Sequence, residues 1–195
     1  MLELSLFKVL EWLAVIASLF YIVLAVKENL WCWVAAAIST ILYIAIFWRA
    51  NLLMDSLLNS YYLVMAGYGY YSWTHPKQAS KDQLAISRFT IFQHVFTIAG
   101  IFIGAYICGA LISRFTSAAW PYVDSFTTVA SFVATWMVTR KIVETWLYWI
   151  VIDLICIFVY IERGLHPTAG LFAIYTAMAV YGFIRWRKLY SHRKV

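Results

Sequence analysis

Apolar residues run along this chain in long unbroken stretches, and polar residues cluster in the short gaps between them. A helix that crosses a bilayer needs roughly 20 predominantly apolar residues. By that measure the runs predict helices near 9–26, 30–48, 54–73, 89–112, 121–139, 142–161 and 168–187. The gaps fall at Lys27-Glu28-Asn29, at Arg49 to Asn51, and at a polar stretch from Thr74 to Ser87. Others fall at Ser113 to Ala119, at Arg140-Lys141, and at Glu162 to Pro167. Membrane barrel strands would alternate polar and apolar over about ten residues, whereas these runs are apolar throughout. Backbone groups in lipid must be satisfied internally, so an all-α fold is expected, with seven spans in one transmembrane domain.

Composition leads to the same place. Of 195 residues, 64% are hydrophobic and 12% charged, against about 25% charged in a soluble domain. Such a chain cannot cover a water-facing surface, so the lipid bilayer is its solvent. The connections are too short for an extramembrane domain, and function is expected within the helices or at their ends. Glu3, Lys8 and Glu11 interrupt the first run, which is unlike a cleavable signal peptide. Cys32, Cys108 and Cys156 all sit in apolar segments and are read as small buried hydrophobes.

The net charge of +6 follows the loops and forms no patch for nucleic acid. With seven spans, Lys27, Lys77, Lys81, Arg88, Arg140, Lys141, Arg185, Arg187, Lys188, Arg193 and Lys194 share one side. Lys8, Arg49, Arg114 and Arg163 share the other, a division of eleven to four. The positive-inside rule then places the C-terminus in the cytoplasm and the N-terminus outside. Trp73, Trp120 and Trp186, near helix ends, suit the interfacial aromatic belt.

An internal repeat organises these helices. Met65-Ala66-Gly67-Tyr68-Gly69-Tyr70-Tyr71-Ser72-Trp73 aligns with Met178-Ala179-Val180-Tyr181-Gly182-Phe183-Ile184-Arg185-Trp186 at an offset of 113. Without a gap, the same offset pairs Tyr62 with Tyr175, Trp33 with Trp146, Lys27 with Arg140 and Glu11 with Asp124. The expected architecture is 3+1+3. Repeat one covers about 9–73, a linker helix about 89–112, and repeat two about 121–187. An odd linker span is what lets two three-helix bundles lie parallel, as in the SWEET transporters.

Polar groups within spans are costly, and by default they mark function. Trp146, Trp149 and Asp153 recur at spacings of three and four on one helical face. Two indoles and a carboxylate suit a flat ligand that is cationic or rich in hydrogen bonds. From spacing alone, packing indoles and an interhelical contact at Asp153 weigh about equally. Asp55, Asn59 and Tyr62 form a second stripe, and Gln93 and His94 lie on the linker helix. Gln93 is a pocket candidate; His94 reads better as an interface histidine than as a proton relay. Gly100 and Gly104 form a GxxxG pair, with Gly109 further along, suited to close helix packing within the chain or between subunits. Metalloprotease, nucleophile-elbow, Walker A and dinucleotide motifs do not occur, so neither a cofactor nor a metal is expected. An intramembrane enzyme would need Asp55 and Asp153 to meet as a carboxylate pair, whereas a carrier needs only a ligand-shaped aromatic box. A structural subunit would explain the repeat but not the Trp-Trp-Asp face.

Trp146-x-x-Trp149-x-x-x-Asp153 and Asn59-x-x-Tyr62 resemble the WxxWxxx(N/D) and NxxY motifs of the PnuC family of vitamin transporters. The stretch from Asp124 to Trp186 resembles that family's C-terminal half, and the resemblance covers essentially the whole chain. It implies a SWEET-like seven-helix core in a bacterial inner membrane, uptake of nicotinamide riboside by facilitated diffusion, trapping by cytoplasmic phosphorylation, and a homotrimer. It also implies that Trp146, Trp149, Asp153, Asn59 and Tyr62 line the substrate site. Related family members carry thiamine, which is cationic too and is the alternative substrate.

Overall fold

In the computed structural model, residues 2–49, 53–75, 84–115 and 120–192 are described, with backbone alone for 2–8, 53–55 and 167. Seven helices form over them: α1 (Leu2–Val26), α2 (Trp31–Arg49), α3 (Leu53–Thr74), α4 (Ile91–Phe115), α5 (Pro121–Thr139), α6 (Thr145–Glu162) and α7 (His166–His192). The chain divides into two compact units, α1–α3 and α4–α7. Within the first, α2 packs on α1 and on α3. In the second, α4 packs on α5, α5 on α6, and α6 on α7. The expected linker helix thus belongs to the second unit.

Five helices, α1, α2, α4, α6 and α7, are long and apolar enough to cross a membrane by composition. The remaining two are helical over 22 and 19 residues but richer in hydroxyls. In α5 the threonine hydroxyls return to the helix's own carbonyls: Thr128 Oγ1 donates to Asp124 O at 2.8 Å and Thr135 Oγ1 to Ser131 O at 2.7 Å. Bonded this way, a threonine carries little polar cost into lipid.

Helix ends explain where expectation and structure part. α6 starts at Thr145, three residues later than expected, because α5 closes in a Schellman turn. Lys141 N–H donates to Val138 O (3.0 Å) and Ile142 N–H to Met137 O (3.1 Å), with Lys141 at φ 50°. The α1 end is its counterpart at the 113 offset. There Glu28 N–H donates to Ala25 O and Asn29 N–H to Leu24 O, both at 3.0 Å, with Glu28 at φ 56°. Glycine normally occupies this left-handed position, as Gly164 does after α6 at φ 71°. With glutamate and lysine there instead, the sequence gives no sign of the motif.

Two of the three α4 glycines make the close approach within the chain. A Cβ on Gly100 would meet nothing within 4 Å. One on Gly104 would lie 3.3 Å from Val129, and one on Gly109 would lie 2.5 Å from the Tyr122 ring. The close approach to α5 is therefore made at Gly104 and Gly109.

Candidate functional site

The repeat is most visible where tryptophan meets glycine. In the first unit Trp33 of α2 is 2% exposed and lies against Gly69 of α3, where an added Cβ would come within 2.4 Å of its ring. Trp73 crosses it at 83° with centroids 5.2 Å apart. In the second unit Trp146 of α6 is 3% exposed and lies against Gly182 of α7, where the same Cβ would come within 2.6 Å. Trp186 crosses it at 86° and 5.3 Å. Only glycine leaves room for these indoles, so each Trp-Gly-Trp set holds two neighbouring helices together. Neither indole Nε1 of the inner pair, Trp33 or Trp146, has a hydrogen-bond acceptor among the described residues.

The three residues of the α6 stripe therefore have different surroundings. Trp146 faces α7. Trp149, half-buried, packs against a cluster of Ile101, Ala130, Ala134 and Ile152 from α4, α5 and α6. Asp153, one turn further on, is 3% exposed and has no hydrogen-bond or ion-pair partner among the described residues. A carboxyl group withdrawn from water without a partner is unfavourable by several kcal/mol in either protonation state. A protein retains such a group where something else completes it.

In the first unit Asn59 is buried on α3 and Tyr62, one turn on, is half-buried, its ring 5.9 Å from that of Tyr61. Both make contacts within the fold. The Asp55 side chain lies outside the described residues. Across the 113 offset, Asn59 stands where the second repeat has Phe172, while Ala36 and Thr40 stand where it has Trp149 and Asp153. The two repeats have thus diverged reciprocally: one keeps the amide, the other the indole and the acid.

Gln93 has a structural task. Its Oε1 accepts Thr90 N–H at 2.8 Å, and its own N–H lies 3.4 Å from Thr90 Oγ1, a capping box at the start of α4. It is exposed there, and only its amide nitrogen is left for a ligand. His94 Nδ1 lies 3.0 Å from Tyr148 Oη, with the rings stacked at 21° and Phe89 edge-on at 5.5 Å, so it is held at a helix interface.

Glu144, at the turn before α6, gathers the segment that leads into α4. Arg88 Nε donates to it at 2.6 Å and Phe89 N–H at 3.2 Å. Ser87 pairs beside it with Ile142, the only extended pairing among the described residues, through Ser87 N–H to Lys141 O and Val143 N–H to Ser87 O. The hydrogen bond and charge of Glu144 hold the Arg88 guanidinium pKa above its ordinary value. Repeat one has Trp31 at the matching position, and sequence reading did not find the pair.

Comparison with known proteins decides the family. The profile of the nicotinamide mononucleotide transporter family matches residues 8–188. The chain belongs to that family. Among its relatives, the riboflavin/roseoflavin transporter RibM of Streptomyces davaonensis is 24% identical, over 88% of this chain and 81% of RibM. The nicotinamide riboside transporter PnuC of Escherichia coli is 25% identical, over 91% and 84%; that of Neisseria mucosa is 25% identical, over 92% and 73%. A crystal structure of the vitamin B3 transporter PnuC superposes with a TM-score of 0.76 at 22% identity, covering 94% of this chain and 82% of the other. That likeness shows the fold. The family member described here is an all-helical, multi-pass membrane protein.

Proposed function

We propose that the protein carries nicotinamide riboside across the membrane by facilitated diffusion, without coupling to an ion gradient. Family membership supports transport, and the PnuC relatives support this substrate. The single observation that carries the reading is Asp153: a buried carboxyl with no hydrogen-bond or ion-pair partner among the described residues, one turn from the half-buried indole of Trp149. A pyridinium ring offers a flat cation for the indole, and the ligand's charge or ribose hydroxyls offer partners for the carboxyl. Trp146 anchors the same stripe of α6, its indole locked on Gly182. Asn59 and Tyr62 are proposed as the first repeat's contribution, and Gln93 could add only its amide nitrogen.

The same residues suit thiamine, which is also a flat cation. The RibM relative brings riboflavin in as a further reading, a flat ring with a hydroxylated chain but no positive charge. Calorimetric titration of the purified protein with nicotinamide riboside, nicotinamide, thiamine and riboflavin separates them. Tightest binding of nicotinamide riboside is expected. Tightest binding of thiamine or riboflavin overturns the substrate assignment, and no binding of any of the four overturns the vitamin class. The trimer implied by the family resemblance is carried as part of this proposal, and light scattering on the purified protein measures it.

A further inference from the structure

We propose that the C-terminal end of α7 is a binding site for one anionic phospholipid. The helix has 27 residues, about 40 Å at 1.5 Å per residue, and so outruns a hydrocarbon core of about 30 Å. Counted from Thr168, where its apolar stretch begins, about 20 residues fill that core and bring the chain to Arg187. Here two ridges with a spacing of four run side by side on the helix surface: Phe183, Arg187, Ser191 and Ile184, Lys188, His192. These six residues line one shallow cavity of about 320 Å³. Along the helix the lining passes from apolar to cationic to hydrogen-bonding, the order of acyl chain, phosphate and polar headgroup in a lipid leaflet.

Among Arg88 and the cations of α7, two stand out. Arg88 is bound to Glu144 and lies over the Tyr190 ring at 5.9 Å, and Arg185 reaches Tyr181 Oη at 3.5 Å. Arg187 and Lys188 are exposed and have no ion-pair partner among the described residues, and α7 contains no acidic residue. Shared architecture does not require them. At the 113 offset they fall on Thr74 and His75, where α3 ends and His75 instead stacks on Tyr71 at 4.5 Å. The second repeat carries two cations with no ion-pair partner among the described residues, above an apolar floor, and a phosphodiester with a tail satisfies both.

The test uses the delipidated full chain in nonionic detergent and a phosphatidylglycerol with a fluorescent tail, displaced by unlabelled phosphatidylglycerol, phosphatidylcholine or inorganic phosphate. Phosphatidylglycerol should displace the probe at least about tenfold better than phosphatidylcholine at low salt, and phosphate should not displace it. The double variant Arg187→Gln, Lys188→Gln, both at exposed positions, should bind about thirtyfold more weakly, equivalent to about 2 kcal/mol. Lys188→Arg should bind like the parent. Ile184→Ser keeps both cations and should still weaken the lipid. Unchanged affinity in the double variant, equal binding of the zwitterionic lipid, or displacement by phosphate as effective as by lipid would each overturn the site. An Ile184→Ser variant that binds like the parent would show that no acyl chain lies on the floor, and would overturn it as well.

Discussion

Replacing Asp153 by Asn should tighten the fold and loosen the substrate at the same time. The carboxyl is 3% exposed and has no partner among the described residues, and an aspartate in mid-helix costs about 2.5–3.5 kcal/mol on insertion scales. An amide of the same shape removes part of that cost, so the ligand-free variant should gain on the order of 1–2 kcal/mol and melt at a higher temperature. Binding moves the other way. A charge-assisted hydrogen bond contributes about 1.5–3 kcal/mol, so nicotinamide riboside should bind roughly ten- to a hundredfold more weakly. Asp153→Ala separates the two ways a carboxylate could act. If it pairs with the pyridinium charge, Asn and Ala lose about the same affinity; if it accepts from a ribose hydroxyl, Asn loses less. Scanning fluorimetry of the ligand-free protein and calorimetry on the same preparation supply both numbers. A variant that melts lower and binds as well as the parent would show that Asp153 has a structural partner, and the argument from its isolation would fail.

Four further outcomes are expected. Gly69→Ala and Gly182→Ala each place a methyl within 2.6 Å or less of an indole and should cost about 1–3 kcal/mol of stability; melting curves like the parent's would mean the tryptophans can shift. Glu28→Gly relieves a left-handed residue and should stabilise by about 1 kcal/mol, whereas Lys141→Gly also discards a fully buried side chain and should destabilise; chemical or thermal melts that rank them the other way would refute this account of the turns. A reporter fused to the C-terminus should read as cytoplasmic and one at the N-terminus as external; both on one side would rule out an odd number of spans. Uptake into proteoliposomes at a fixed substrate gradient should survive proton and sodium ionophores, and its collapse would demonstrate coupling.

Much of the fold was legible because bilayer-length apolar runs have few competing readings. The matching Trp-Gly-Trp sets were legible too, because tryptophan and glycine at a fixed offset reflect a steric requirement that admits few substitutes. Less legible were features decided by backbone geometry and by partners distant in sequence. Glu28 and Lys141 occupy positions where glycine would have announced the turn. Glu144 falls inside the expected helix near 142–161, and nothing local marks it as a tie to Arg88, which lies 56 residues away. Gln93 carried a readable capping signature with Thr90, which its location in an apolar run overshadowed. At the candidate site, spacing put Trp146, Trp149 and Asp153 on one stripe. It could not show that the first is committed to Gly182, the second to the α4–α6 cluster, and the third to nothing among the described residues.

The crossed indole pairs also make the two halves of the chain optically distinguishable. Aromatic chromophores whose centres lie 5.2 and 5.3 Å apart share their electronic excitation, and a chiral frame turns that sharing into a paired band in circular dichroism. Trp73→Phe should silence the signal from α2–α3, and Trp186→Phe the one from α6–α7. Each half then reports its own integrity without an attached label, and the order in which the halves assemble or loosen can be read from native tryptophans.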